Sequence, residues 1–227
     1  TRYFPLTPER QPFVKTEAVS DEYRFVRVTG DGVHEIPVGP VHAGIIEPGH
    51  FRFSIVGEKI LRLEERLGYV HKGIEQRFAQ MQLLVGHRLA ARISGDSAVA
   101  YSWAYCQALE GMAQVVIPPR AAWLRALALE CERIANHLGD LGALGNDAGL
   151  SFGLSQFSRL KELWLRASEA VFTQRYPMDF IVPGGTGMDP PAAAMSGLVA
   201  CAAKVGESAS EIRTIYGEHA GVRDRFT

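Results

Sequence analysis

Apolar residues recur at two different periods along the chain, and the period changes near Gly73. Before that point the spacing is two. Tyr23-Arg-Phe-Val-Arg-Val28 alternates as a short strand does, and Asp31-Gly32 supplies a turn. Phe51, Phe53 and Ile55 then alternate with Arg52 and Ser54, Gly57-Glu58 punctuates, and Ile60, Leu61 and Leu63 lead out. The stretch from Ile36 to Leu63 therefore predicts a small antiparallel sheet, a β-layer over about residues 35–65. Residues 1–34 read as a leading segment or linker, because Pro5, Pro8 and Pro12 interrupt any helix.

After Gly73 apolar positions fall three and four apart, the spacing of one helical face. Between Asp96 and Gln114 the face is Val99, Trp103, Cys106, Leu109 and Ala113. Pro118-Pro119 suits a helix start, followed by Leu124, Leu127, Cys131, Ile134, Leu138 and Leu141. Phe157, Leu160, Trp164, Ala167 and Val171 repeat the pattern. So do Met195, Leu198, Ala202, Val205, Ala209, Ile212 and Tyr216, after Asp189-Pro190-Pro191. Such stripes predict a long-helix bundle over about residues 74–227. The fold class is then α+β: mainly α with a small N-terminal antiparallel β-layer. Gly139, Gly142, Gly145 and Gly149 are expected in one interhelical link, and Gly184-Gly-Thr-Gly187 as a turn. Trp103, Trp123 and Trp164 are expected in the core, with partner-facing positions as the alternative, Cys131 as a small buried hydrophobe, and Arg159, Lys161, Glu162, Arg166 and Glu169 on a solvated face.

Composition narrows the function classes. Lys and Arg number 24 against 25 Asp and Glu, for a formal charge of −1 without a basic cluster, which argues against nucleic acid or a polybasic membrane patch. No apolar run is long enough for a bilayer. The 227 residues suit one large domain or a domain with an appendage, and the start at Thr1 suggests a piece of a longer protein. Cys106, Cys131 and Cys201 are too scattered for a disulfide framework or a Cys-x-x-Cys knuckle. His34, His42, His50, His71 and His87 never form the close pairs of metal-binding helices. Gly184–Gly187 lacks the preceding strand and following lysine of a phosphate loop, and Ser94, Ser97 and Ser102 lack a nucleophile-elbow frame.

Several connected motifs carry a resemblance. They are Ile36-Pro-Val-Gly-Pro-Val-His-Ala-Gly-Ile-Ile-Glu-Pro-Gly-His-Phe-Arg-Phe53, Gly57-Glu58, Leu67-Gly-Tyr-Val-His-Lys-Gly-Ile-Glu75, Pro118-Pro-Arg-Ala-Ala-Trp-Leu-Arg125, Glu130-Cys-Glu-Arg-Ile-Ala-Asn-His-Leu138 and Pro183-Gly-Gly185. In this order they resemble the large subunit of nickel-iron hydrogenases, especially the energy-converting type such as formate hydrogenlyase. They also resemble the homologous large subunit beside the quinone site of respiratory complex I, an NADH-quinone oxidoreductase.

The resemblance implies a fold of the hydrogenase large-subunit type and places Arg92-Ile93-Ser94-Gly95-Asp96-Ser97 on the Arg-x-Cys-Gly-x-Cys motif whose thiolates ligate nickel and iron. Both cysteines are then serines, whose hard, protonated hydroxyls are poor ligands for these soft metals. The family histidine after the motif corresponds to Tyr101, and the complex I tyrosine at the quinone headgroup to Ala91. Glu75 matches a proton-relaying glutamate. Its alternative reading is an ion pair to Arg92. Arg92, Ser94, Asp96 and Ser97 are read as a vestigial metal-site pocket, with helix capping as the alternative role of the serines and aspartate. His42 and His50 become candidate quinone-facing residues.

The implied function is a structural or energy-coupling subunit of a membrane-associated oxidoreductase complex, inactive as an isolated chain and without its own nickel-iron centre or other bound cofactor. The alternatives are a quinone-reactive electron-transfer subunit and a non-catalytic helical binding module. Implied partners are an iron-sulfur small subunit, which carries the iron-sulfur cluster, membrane subunits and a quinone, with no nucleic acid. The implied location is cytoplasmic, peripheral on the inner face of the cell membrane.

Overall fold

The computed structural model describes residues 24–42 and 46–226. By its internal contacts the chain falls into two units. The first, among its described residues, holds 24–42 and 48–67. It is an antiparallel sheet in the order β1 (Val33–Val38), β2 (His50–Val56), β3 (Lys59–Arg66). Val56 pairs with Lys59, so Gly57-Glu58 is a two-residue hairpin turn, and Gly57 takes the positive φ of 58° that such a turn asks of its first residue.

Alternation divides the sheet into two faces. Ile36, Phe53 and Leu63 lie directly across from one another on one of them. On the other, Ser54 and Glu64 are buried. The strand expected at residues 23–28 does not form in the described part, Arg24–Val28, while Tyr23 lies outside the described residues. The Val26 N–H goes to both carboxylate oxygens of Glu64, at 3.2 and 3.1 Å, instead of to a ladder carbonyl, and the Arg52 guanidinium stacks 4.0 Å over the Phe25 ring.

The second unit is helical. It runs through α1 (Ile74–Gln80), a 3-10 turn (Leu83–Val85), α2 (Gly86–Ala90), α3 (Ala98–Ala113), α4 (Pro119–Asp147), α5 (Ser151–Phe172), α6 (Ala192–Glu218) and α7 (Ala220–Phe226). A two-stranded hairpin, β4 (Ile181–Val182) with β5 (Gly185–Thr186), precedes α6. Val99, Cys106, Leu124, Cys131, Leu138, Phe157, Leu160, Trp164, Val171, Leu198, Val205 and Ile212 form one core. The Trp164 indole N–H donates to the Cys131 carbonyl at 2.8 Å, tying α5 to α4.

Three expectations change here. Gly139, Gly142 and Gly145 are not in a link but inside α4, and only Gly149, with φ 81°, follows its end. Their small size serves packing: a Cβ on Gly142 would press on Phe157 at 3.3 Å, and one on Gly145 would overlap the Tyr216 hydroxyl. Tyr216 thereby reaches the Leu141 carbonyl at 2.8 Å and packs edge-on to Phe157. Trp123 is not core. It lies off the buried face made by Ala121, Leu124 and Ala128 and is 78% exposed. On α3, Ser102 and Glu110 are buried whereas Ala113 is exposed, because that face meets polar partners as well as apolar ones.

Candidate functional site

The segment Arg92–Ser97 joins α2 to α3, and four other parts of the helical unit hold it. The Lys72 ammonium donates to the Ile93 carbonyl at 2.8 Å. The Arg92 guanidinium forms a two-pronged pair with the Asp179 carboxylate, at 2.7 and 2.8 Å, and donates to the Arg88 carbonyl at 2.6 Å. Asn136 donates its amide to the Asp96 carbonyl. Glu132, one helical turn before Asn136 on α4, accepts the Val99 N–H at 2.6 Å and the Ala100 N–H at 3.1 Å.

This arrangement corrects two expectations. Ser97 occupies the N-cap position of α3 without a side-chain capping bond. The Ser94 and Ser97 hydroxyls both point to the Asp96 carboxylate, Ser97 at 3.4 Å, so none of the three serves the first-turn amides. Glu132 caps the helix from outside, because its buried carboxylate can serve two free amides together. Arg92 pairs with Asp179 and not with Glu75. Glu75 is exposed in the first turn of α1 and makes no hydrogen bond or ion pair among the described residues. Ala91 is buried and Tyr101 is 43% exposed.

Electrostatics follow the contacts. Hydrogen bonding to Arg92 holds the Asp179 carboxyl below the usual range and raises the guanidinium in turn. Burial pushes Glu132 up. The Val99 and Ala100 amides oppose this, the charge of Asp96 adds to it, and the Ala98 amide opposes it again.

A second buried polar group joins two of the resembling motifs. Arg125 is fully buried and binds Glu110 through both terminal nitrogens, at 2.9 and 2.6 Å. Its remaining donors reach the Gly185 carbonyl at 3.0 Å and the Val182 carbonyl at 2.8 Å, and the Gly184 N–H donates to Glu110 at 2.8 Å. Pro183-Gly184 supplies the turn, with Gly184 at φ 86°, the Pro-Gly placement of a type II turn. The glycines of 184–187 thus serve a hairpin clamped by an ion pair.

The Arg92–Ser97 segment has no thiolate with which to hold a nickel-iron group. The segment offers two hydroxyls and one carboxylate, and the hydroxyls are committed to that carboxylate. Cys106 and Cys131 lie in the helical core, their thiols pushed by burial to about 11 and about 12. Among the described residues, no group of three or more His, Cys, Asp and Glu is placed to hold a metal ion.

His42 and His50 belong to the sheet unit. His42 meets the Phe51 ring edge-on at 6.5 Å, and His50 lies 5.3 Å from Phe25. His50 Nδ1 is 3.3 Å from the Gly39 carbonyl, which accepts a hydrogen bond from the tautomer protonated there. Nε2 is buried and without a partner among the described residues.

Arg125, Glu132 and Asn136 stood inside the resembling motifs without a role of their own, and Glu110 and Asp179 were not singled out in the sequence. Four of them left a signal: Glu132 lies between Ala128 and Ala135 on the buried face of α4, Asn136 follows Glu132 by one turn, Arg125 follows Ala121, and Glu110 follows Cys106. A charged residue in register with an apolar stripe requires a buried partner. Asp179 is 87 residues from Arg92 and left none.

No protein-family model matches the chain. It is 33% identical over 185 residues to formate hydrogenlyase subunit 5 of Escherichia coli (strain K12), covering 79% of this chain and 32% of that protein. To hydrogenase-4 component G of the same organism it is 33% identical over 174 residues, covering 75% and 31%. To a subunit of the NADH-quinone oxidoreductase of Saccharopolyspora erythraea it is 28% identical over 192 residues, covering 79% and 43%. The chain therefore spans between about a third and under half of these relatives' lengths. A solved structure of the membrane-bound sulfane sulfur reductase, an archaeal respiratory membrane complex, shares the fold at a TM-score of 0.80 and 19% identity, over 86% of this chain and 52% of that one. Together with the motifs that converge on the Arg92–Ser97 segment and the clamped hairpin, these matches show that the chain belongs to the superfamily joining hydrogenase subunits, such as formate hydrogenlyase subunit 5, to their counterparts in NADH-quinone oxidoreductases.

Proposed function

We propose that the chain is part of a structural and energy-coupling subunit of a membrane-associated oxidoreductase complex, and that its Arg92–Ser97 segment carries no nickel-iron centre. One observation carries this reading: the segment is anchored at Ile93, Asp96 and the start of α3, yet the side chains in it that could ligate a metal, Ser94, Asp96 and Ser97, offer oxygen alone. Anchored polar side chains suit handling of protons or a small polar ligand better than retention of a soft metal. Glu75, exposed at the start of α1, is the proposed proton-relay carboxylate, and Arg92, Ser94, Asp96 and Ser97 form the proposed vestigial pocket.

We also propose an iron-sulfur subunit and membrane subunits as partners, with the subunit peripheral on the inner membrane face; that the relatives are themselves subunits of hydrogenase and NADH-quinone oxidoreductase assemblies supports a multi-subunit setting. Among the described residues no helix is long and apolar enough to cross a membrane. Metal analysis of the purified full-length complex tests the claim. Substoichiometric nickel is expected, and one nickel per complex would overturn it. Deletion of this subunit should abolish electron transfer, and unchanged transfer would refute the coupling role.

A second reading, quinone contact at His42 and His50, is favoured by the buried Nε2 of His50, which has no partner among the described residues and could hydrogen-bond a quinone or quinol oxygen. A quinone analogue should then shift the imidazole signals of His50 in the assembled complex. Absence of any shift at saturating analogue would exclude contact there.

A further inference from the structure

We propose that Glu132 and Asn136 are positioning residues that hold the Ser94–Ser97 segment in its working geometry, an inference that rests on the reading of this segment as functional.

Glu132 is 4% exposed, yet the groups that act on its carboxylate are backbone amides and the charge of Asp96, with no cation among the described residues. Its partners are the first-turn amides of α3, where the positive end of the helix dipole offsets part of the desolvation of a buried charge. A helix start is normally capped by its own preceding side chain, and here Ser97 occupies that place without doing so. The Ser97 hydroxyl is left to Asp96 because the α3 amides are already served by α4. Asn136 repeats the arrangement one turn along α4. Its side-chain amide takes the Asp96 carbonyl, so the same helix grips the segment on both sides of Ser97.

The side chains of Ser94, Asp96 and Ser97 are thus oriented by a helix that begins more than twenty residues later in the chain. Loss of either grip releases the segment, while the apolar side chains that make the α4–α5 core all remain in both variants.

Hydrogen exchange on the full-length chain in its purified complex tests this, with Glu132→Ala, Glu132→Gln and Asn136→Ala. The Ala variants are expected to speed exchange over residues 94–100 tenfold or more, with α5 within twofold of the parent. Glu132→Gln, which keeps an oxygen acceptor, should restore protection to within about threefold. Electron transfer, followed as oxidation of reduced methyl viologen by the complex, should fall at least fivefold in Glu132→Ala and recover in Glu132→Gln. If Glu132→Ala does not fold, Asn136→Ala and Glu132→Gln carry the test. Unchanged exchange over 94–100, or equal loosening of α5, overturns the positioning role. Faster local exchange with unaltered electron transfer upholds the grip on the segment and overturns the functional reading of it.

Discussion

Arg125 has the largest fully buried side chain among the described residues, and its guanidinium is bonded to Glu110 and to the Gly185 and Val182 carbonyls. Removing one member of such a pair leaves the other charge buried and uncompensated, which destabilises by about 3–5 kcal/mol. Arg125→Ala should therefore lower Tm by roughly 10 °C in thermal denaturation, and a fall of only a degree or two would contradict the burial of the pair. The acid dependence has the same origin. The Arg125 hydrogen bonds hold Glu110 below its ordinary value of 4.5, and the Arg92 bonds hold Asp179 below 3.8. Carboxyls more acidic in the folded chain than in the unfolded one contribute stability that is present above those ordinary values and is lost as pH falls through the folded ones. Glu132, raised by burial, has the opposite sign: the folded chain binds its proton more readily, so its contribution improves as pH falls. Urea titrations between pH 6 and pH 3 should show net loss of stability on acidification in the parent, steepest below about pH 4.5. In Glu132→Gln, which keeps one of the two oxygen acceptors and removes the buried charge, the loss of stability at neutral pH should stay within about 1 kcal/mol. A Gln variant much less stable at pH 7 would mean that the carboxylate charge, and not its oxygen, is what α3 needs.

At the scale of elements, the close approach of α4, α5 and α6 turns on glycines that admit one tyrosine. A Cβ on Gly153 or Gly145 would overlap the Tyr216 hydroxyl, whereas one on Gly206 meets nothing within 4 Å. Gly153→Ala must displace Tyr216 from the Leu141 carbonyl and from Phe157, at about 1–3 kcal/mol. Gly206→Ala gains helix propensity without a clash and should stabilise by up to about 1 kcal/mol. The opposite signs of these two substitutions, read from chemical denaturation, check the packing of α6. Two destabilising results of equal size would refute it. The glycines of α4 also explain why sequence alone predicts an early end to that helix. Gly139, Gly142 and Gly145 look like a link by composition, and only the neighbours that crowd them show that a helix continues.

At the scale of the whole molecule, the three-stranded sheet leaves an apolar face open: Ile36 is 43% and Leu63 45% exposed, with Phe53 between them. Trp123 is exposed in the helical unit as well. A chain with such surfaces should self-associate when purified without other subunits. Replacing Ile36 and Leu63 by Lys should shift it toward monomer in light scattering. A parent chain already monomeric at high micromolar concentration would argue that the face is of no consequence.

What the sequence determined by itself was periodicity: spacing two between Ile36 and Leu63 became strands, and spacing three and four after Gly73 became helices, because burying one face of an element needs only local pattern. The motif order likewise carried the superfamily. It also showed that residues 94 and 97 are serines. Which groups meet was decided by the tertiary structure. Arg92 lies 87 residues from Asp179, Glu110 is 74 from Gly184, and Glu132 is 33 from Val99. No local pattern encodes such partners, because a buried charge is satisfied by whichever donor the packed helices bring to it. The pairing of Arg92 with Asp179 rather than Glu75, and the capping of α3 by Glu132 rather than Ser97, were settled only by how α4 packs on the start of α3 and how the loop before β4 returns to Arg92.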